Sequence, residues 1–314
     1  MGKLYVGNSG STPAIVTVEE VAKKKFGANI DTFLGDVDTN GNYTKPSEPV
    51  EVNLAGVKHV PDHAFTYKFY EIPDLVLYAN DVTSVDHHAF QHGFSLFQLA
   101  SSGDNLYASF DNLETIEASS VFYYACNNRQ NATFSFNKLK KISGTSCFQQ
   151  FFNKGRASFD KTFPSLEEVS GRYVFDSVFS LKANDIIALS KVKKISATTS
   201  KYDATFRNLY LSNTIWFFPR ATDFSNYIWN GSETAYCEIH FAAANREAIE
   251  ACEGYDYKFG LLGATIYFDL ILDIVINGVL YTRKHTIDGY TSWEDNSGNL
   301  VYTYANTEPA VGTV

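Results

Sequence analysis

The chain repeats one hydrophobic pattern: two aliphatic residues three positions apart, a short polar turn, and then a phenylalanine. The second aliphatic residues follow one another at steps of 25, 31, 26, 27 and 26 residues. Such steps are typical of leucine-rich-type solenoids, in which each coil buries its apolar face only against its neighbours. The pattern therefore predicts a solenoid with stacked phenylalanine rings. The copies, written as second aliphatic residue and phenylalanine, are Val60/Phe65, Val85/Phe90, Ile116/Phe122, Ile142/Phe148, Val169/Phe175 and Ile195/Phe206.

Each repeat carries a second segment in which alternate residues are apolar, as expected for a strand that is buried on one side. Stacked in register, these segments predict one continuous parallel sheet. The clearest copies are residues 215–217, 239–241 and 266–268, and residues 75–77, 134–136, 157–159 and 186–189 resemble them.

The two ends of the chain depart from the repeat. Residues 17–26 predict a short helix after an opening strand, residues 36–49 a polar loop, and residues 50–54 the first strand of the array. Residues 245–252 predict a helix with Asn245 as N-cap. Beyond residue 270, Asn277-Gly278 predicts a type I′ hairpin turn, and residues 290–293 and 300–304 predict a second hairpin. The predicted parts are a cap over residues 1–55, a solenoid over 56–270 and a hairpin appendage over 271–314.

Composition narrows the class of protein. Hydrophobic residues make up 45% and aromatic residues 15%, which is enough for an aromatic core. The net charge of −9 disfavours nucleic-acid binding, because phosphate contacts need a basic surface. The spacing of Cys126, Cys147, Cys237 and Cys252 fits neither a metal site nor a disulfide framework, and favours buried reduced thiols.

Targeting signals are not visible in the sequence. The first residues lack the apolar stretch of a signal peptide. The longest apolar stretch, residues 270–276, contains Asp273 and is far shorter than the roughly 18 residues that a membrane helix requires. We expect a protein made in a reducing cytoplasm, or one that leaves the cell without a cleavable signal.

Two groups of residues have the composition of a metal site. Asp36, Asp38 and Asn40 begin like a calcium loop, but Ser47 stands where the bidentate Glu is needed, which favours a polar turn. His63 and His88 occupy matching places in successive repeats, with His92 four residues after His88. They could bind a transition metal, but we expect solvent-facing turn residues, because no carboxylate or thiol completes the set. The prediction is no metal and no cofactor.

The repeats resemble the BspA-type leucine-rich repeats of bacterial surface and gut-associated proteins over roughly residues 56–270. The turns His63-Ala64-Phe65 and His88-Ala89-Phe90 match best, whereas the turns ending in Phe122, Phe148 and Phe175 depart from the pattern. The resemblance implies adhesion and protein binding. The opening residues 3–9 resemble the openings of tail-associated proteins from phages of gut Firmicutes, which implies a virion protein that is released by lysis.

A surface is the remaining candidate site. If Ile215 and Phe217 point into the solenoid, alternation places the other residues of each strand on the outer face of the sheet. Exposed Trp and Tyr side chains often carry binding energy. The alternative is that Trp216 and Phe218 are covered by a loop or a subunit, because exposed apolar side chains are costly. The candidate ligand-binding residues are Trp216, Phe218, His240, Tyr267, Thr133 and Ser135.

Phosphate-loop, nucleophile-elbow and zinc-protease motifs are absent from the sequence. We therefore expect an α/β solenoid, a BspA-type leucine-rich parallel β array with short helices and an antiparallel C-terminal appendage. The expected function is a non-enzymatic recognition module, on a phage virion, that contacts a bacterial host or gut protein or glycan. The alternatives are a bacterial surface adhesin that is exported without a cleavable signal, and a glycan-active enzyme.

Overall fold

A computed structural model describes residues 2–5, 50–69, 74–95, 105–129, 131–151, 158–178, 185–196, 205–207, 214–225, 229–230, 237–252 and 265–305. The predicted helix at residues 17–26 and the loop with Asp36, Asp38 and Asn40 lie outside these ranges. The chain divides into two compact units. Unit 1 comprises residues 1–157 and 173–180, and unit 2 comprises residues 158–172 and 181–314. The predicted domain boundaries after residues 55 and 270 stay predictions.

Unit 1 is a β-solenoid of parallel strands. One side is the sheet β1-β2-β4-β6-β8, in which each strand pairs with its equivalent in the next coil. Every second residue points inward, so that Val52, Leu77, Ala108 and Phe134 pair in one buried row. The strands are β1 (Gly2–Tyr5), β2 (Val50–Asn53), β3 (His59–Val60), β4 (Leu75–Tyr78), β5 (Ser84–Val85), β6 (Asn105–Ser109), β7 (Thr115–Ile116), β8 (Asn131–Ser135) and β9 (Lys141–Ile142).

A second side of unit 1 consists of two-residue strands that end on the second aliphatic residue of each repeat. β3 pairs with β5, and β7 pairs with β9, all in parallel. Val60, Val85, Ile116 and Ile142 are buried there. The aliphatic pairs of the sequence therefore mark core positions, as predicted.

The third side of unit 1, which we call the turn face, is built from consecutive turns with a regular hydrogen-bond alternation. In the first coil, the amides of residues 63, 65, 67 and 69 donate to carbonyls of the next coil at 2.8–3.2 Å. The amides of residues 64, 66 and 68 donate to carbonyls three residues earlier in their own coil. The chain follows this path by placing every fourth residue in the left-handed region, including His63 (φ 57°) and Tyr67 (φ 58°).

The predicted column of phenylalanine rings is present in unit 1. Its centroid separations are 5.2 Å for Phe65 to Phe90, 5.2 Å for Phe90 to Phe122, 5.2 Å for Phe122 to Phe148 and 5.8 Å for Phe148 to Phe175. These values are close to the spacing of neighbouring parallel strands. Phe206 is buried in unit 2, where its ring makes an edge contact with Trp216 at 5.5 Å.

Unit 2 contains further parallel coils and an antiparallel sheet. Its parallel pairings are β11-β14-β17-β18, β10-β12-β15 and β13-β16. The elements are α1 (Phe159–Thr162), β10 (Glu168–Ser170), β11 (Ile186–Ala188), β12 (Lys194–Ser196), β13 (Phe206–Arg207), β14 (Thr214–Phe218), β15 (Asp223–Ser225), β16 (Trp229–Asn230), β17 (Cys237–Ala242), a 3-10 helix (Ala243–Asn245), α2 (Arg246–Glu250), β18 (Thr265–Leu270), β19 (Asp273–Ile276), β20 (Val279–Ile287), β21 (Tyr290–Asp295) and β22 (Leu300–Tyr304).

Two expectations about the strands are wrong. Residues 158–159 do not form a strand: Phe159 begins α1, because Ser158 caps this short helix and accepts a hydrogen bond from the Lys161 amide (3.4 Å). Among the described residues, the alternating segments also form two sheets, β1-β2-β4-β6-β8 and β11-β14-β17-β18, rather than one continuous sheet. The parallel β-solenoid is shown, and the leucine-rich-repeat type stays a prediction.

The second predicted helix is present with a different cap. Asn245 precedes α2, but its side chain donates to the Pro219 carbonyl (3.3 Å) and makes no capping hydrogen bond. Arg246 of this helix lies over the Phe268 ring, 4.4 Å from its centroid. The helix therefore covers the inner side of β18.

The C-terminal sheet has the predicted hairpins, in the order β19-β20-β21-β22. Asn277 (φ 52°) and Gly278 (φ 79°) both have positive φ, which confirms the type I′ turn. The buried carboxylate of Asp160 accepts hydrogen bonds from the amides of Ser190 (2.8 Å) and Thr286 (2.9 Å) and from the Ser190 hydroxyl. Within unit 2, this carboxylate joins α1 to β20, and both of its oxygens accept hydrogen bonds.

Candidate functional site

Trp216 and Phe218 point into the solenoid, so their predicted outward orientation is wrong. Both side chains are fully buried. The Trp216 indole donates to the Thr214 hydroxyl (3.0 Å), and the Phe218 ring stacks on Phe241 (5.8 Å). Residues 215–218 are all apolar, so alternation alone could not say which face is inside. The Trp216 ring is the largest of the four side chains and gains the most free energy from burial, so it lies inside the solenoid.

The opposite face of the same sheet carries one row of paired residues: Ala188, Phe217, His240 and Tyr267. Phe217 is covered, because it packs with Leu270 and Ala305. His240 and Tyr267 lie on the outer face, as alternation predicts, and 37% of Tyr267 is exposed. Of the candidates in unit 2, Tyr267 is therefore available to a ligand, whereas only 13% of the His240 side chain is exposed.

His240 is held in one orientation by its neighbours. Its Nδ1 lies 2.8 Å from Asp269 Oδ1, and its Nε2 lies 3.4 Å from Glu238 Oε2. The ring stacks on Tyr267 at 4.6 Å and receives the edge of Phe217 at 5.3 Å. A fixed imidazole in turn fixes the Tyr267 ring, so the surface is organised before any ligand arrives.

Asp269 lies at an irregularity in the sheet. Phe241 pairs with Phe268 and Ala242 pairs with Leu270, so that Asp269 is an extra residue in β18. Such bulges re-aim side chains. Sequence reasoning missed Glu238 and Asp269, although their spacing from Ile239 and Phe268 already places them on the outer face.

The candidates in unit 1 lie on a different sheet. Thr133 is exposed, whereas Ser135 is half-buried and donates to Asp111 (2.9 Å). Tyr107, the partner of Thr133 on the neighbouring strand, is 39% exposed and lies 6.0 Å from the Tyr78 ring. In the part of the chain that the structure describes, the six candidates therefore do not share one outer face.

Two histidines of the turn face, His63 and His88, form a cluster with a carboxylate that the sequence pattern did not reveal. His63 Nδ1 lies 2.7 Å from Asp62 Oδ1, and His88 Nδ1 lies 3.7 Å from the same oxygen. The expectation that no carboxylate completes this set is wrong, because Asp62 does so. His92 does not join the cluster: it stacks between Tyr67 (4.8 Å) and Tyr124 (5.0 Å), and burial lowers the pKa of its imidazole.

The cysteines are free thiols with little access to solvent. Cys126, Cys147 and Cys237 are buried, and Cys252 is half-buried. Burial raises the pKa of all three buried thiols, that of Cys237 to about 12. The prediction of buried thiols is thus confirmed for three of the four.

Comparison of the chain with protein-family models, with curated proteins and with solved structures gives no match. The fold therefore rests on the strand pairings themselves, and the BspA-type resemblance stays a prediction. Among the described residues, no helix has the length and apolar character needed to span a membrane.

Proposed function

We propose that this chain is a non-enzymatic recognition module that binds a neutral glycan through the outer face of unit 2. The proposed contact surface comprises Tyr267, His240, Asp269 and Glu238. The observation that carries the proposal is the exposed Tyr267 ring, fixed by its stacking on His240 and flanked by two carboxylates.

The chemistry of this surface supports a sugar ligand. A sugar ring has an apolar face of C–H groups, which packs on an aromatic ring, and an edge of hydroxyls that donate to carboxylates. Among the described strands, β18 is the last of its sheet, so the face of the Tyr267 ring turned away from His240 is on the side of β18 opposite to β17. Glu238 and Asp269, each with 49% of its side chain exposed, favour neutral sugars over anionic ones.

A glycan array of neutral and acidic sugars tests this proposal with three full-length proteins: wild type, Tyr267→Ala and Tyr78→Ala. Tyr78 is the matched control, because it too lies on a strand and is also 37% exposed. We expect Tyr267→Ala to weaken binding about tenfold or more, and Tyr78→Ala to leave binding unchanged. Equal binding by wild type and Tyr267→Ala, or binding only to acidic sugars, would overturn the proposal.

We further propose that the module is displayed on a phage virion and contacts the surface of a bacterial host. The support is the resemblance of residues 3–9 to the openings of phage tail proteins. Mass spectrometry of purified virions tests this: the chain should be present in them. The alternative is a bacterial adhesin, which neighbouring cell-wall genes rather than tail genes would favour.

A glycan-active enzyme is the second candidate, because Glu238 and Asp269 both lie within reach of one imidazole. Hydrolysis needs two carboxylates placed on either side of a glycosidic bond. Incubation of the bound glycan with wild type, followed by chromatography, separates the two functions. We expect the glycan to keep its length, and shortening that disappears in Asp269→Asn would establish the enzyme instead.

A further inference from the structure

The histidines of this chain are concentrated in a small part of the sequence. Five of the seven lie between residues 59 and 92, in the first coils of unit 1. Among them, His63 and His88 stand at equivalent places of the turn face, both in the left-handed region (φ 57° and 55°). The hydrogen bond from the His63 amide to the His87 carbonyl (3.2 Å) fixes their relative position.

Asp62, His63 and His88 bring three ligand atoms of metal-binding type together. Their atoms all lie within 4.8 Å of one another. Asp62 Oδ1 is 2.7 Å from His63 Nδ1 and 3.7 Å from His88 Nδ1. Metal–ligand bonds of about 2.1 Å in a tetrahedron place neighbouring ligand atoms about 3.4 Å apart, which lies between those two separations. The His63 and His88 rings stack, with centroids 4.6 Å apart and 25° between their planes, so one ring has to turn about its Cβ–Cγ bond before both Nδ1 atoms face the same ion.

Two other histidines of this region already use at least one ring nitrogen. His59 contacts the Ser84 hydroxyl (2.9 Å) and Asp86 (3.1 Å), and His87 Nδ1 accepts from the Ser119 amide (2.9 Å). His88 Nδ1, by contrast, is shielded from solvent and has no hydrogen-bond partner. A buried nitrogen without a partner is costly, and a metal ion would satisfy it.

We propose that Asp62, His63 and His88 bind one divalent transition-metal ion of the zinc class, which clips the first two repeat coils together. Two imidazoles and one carboxylate form a borderline ligand set that suits Zn²⁺, and Co²⁺ as its spectroscopic substitute, better than Ca²⁺ or Mg²⁺. The ligands come from successive coils, so the ion joins residues that are 25 positions apart (88 − 63). Metal binding therefore stabilises the folded solenoid relative to the unfolded chain.

The test uses the full-length, metal-stripped chain without a histidine tag, titrated with Zn²⁺ by calorimetry and with Co²⁺ by visible absorption. The variants are His63→Asn, His88→Asn and the control His87→Asn. Asn tolerates the left-handed region, so the two ligand variants keep the backbone path. Far-UV circular dichroism confirms that each variant is folded.

We expect one Zn²⁺ per chain, a loss of affinity of at least about tenfold in each ligand variant, and no change in His87→Asn. Zn²⁺ should raise the thermal midpoint of wild type and should not raise that of His88→Asn. Acidic buffer should weaken binding, because a metal binds only the neutral imidazole. Three outcomes would each overturn the proposal: no Zn²⁺ uptake by wild type, unchanged affinity in His63→Asn and His88→Asn, or an equal loss in His87→Asn.

Discussion

Truncation of Phe148 tests the ring column on which unit 1 depends. Phe148 is fully buried and stacks between Phe122 (5.2 Å) and Phe175 (5.8 Å). It also receives ring edges from Phe136 (5.5 Å) and Phe151 (5.1 Å). Phe→Ala truncations in cores cost about 3–5 kcal/mol, and the cost is highest where the site cannot collapse.

The backbone holds this site open. The Phe122 amide donates to the Cys147 carbonyl (2.8 Å), and the Phe148 amide donates to the Val174 carbonyl (2.9 Å). Neighbouring coils therefore cannot close on the cavity, and we expect Phe148→Ala to lower the free energy of unfolding by about 4–5 kcal/mol. Phe148→Leu, which keeps most of the apolar volume, should lose less than half as much.

Urea unfolding followed by circular dichroism measures this loss. Tryptophan fluorescence provides an internal comparison, because all three tryptophans belong to unit 2. In a solenoid each coil contacts only its neighbours, so the circular-dichroism transition should move further than the fluorescence transition. A decrease in the free energy of unfolding below about 1 kcal/mol would refute the stacked column, because truncating a buried phenylalanine in a rigid site costs more than that.

Three further predictions concern single sites. In urea unfolding, Gly144→Ala should lower the free energy of unfolding by about 3 kcal/mol, because a Cβ there would lie 2.0 Å from a backbone carbonyl oxygen. Gly278→Ala, with open space around it, should lower it by only about 1 kcal/mol, and equal losses in the two variants would contradict this packing. Burial lowers the pKa of His92, so its imidazole binds a proton more readily in the unfolded chain than in the folded one. The free energy of unfolding should therefore fall as the pH drops through the unfolded-state pKa of about 6.5. If the free energy of unfolding of His92→Asn changed with pH by the same slope as that of wild type, this prediction would be contradicted. A thiol reagent at pH 8 should modify one cysteine of the native protein rapidly, and Cys252→Ser should abolish that fast phase, because the other three thiols are buried with raised pKa values.

The sequence predicted those parts of the fold that local patterns determine. The aliphatic pairs, the column from Phe65 to Phe175 and the Asn277-Gly278 turn each depend on neighbouring residues and on the repeat itself. In contrast, residues 158–159 lead into a helix and not into a strand. Ser158 caps this helix and Asp160 lies in its first turn, and these two signals have more effect than three residues of alternating polarity.

The candidate site was harder to predict, because it depends on which face of an all-apolar strand is covered. Trp216 and Phe218 were assigned to the wrong face, since the C-terminal residues that cover Phe217 lie far away in the sequence. Asp62 was overlooked for a similar reason. Its distance to His88 follows from the register between coils, which the spacing of residues along one coil does not give.

In unit 1, the side chains at the left-handed positions are different groups from the core rings and backbone amides that hold the coils together. The core rings alternate with these positions, and the amides that join the coils belong to the backbone, so exchange of the displayed side chains leaves both intact. Proline and β-branched residues are disfavoured at such dihedrals, which restricts the displayed repertoire to polar and aromatic groups. The face is thus a natural position for a combinatorial library with two rows of variable side chains. One row contains Ser120 and Tyr173, next to the proposed metal ligands His63 and His88, and the other contains Tyr67, His92, Tyr124, Gln150 and Ser177.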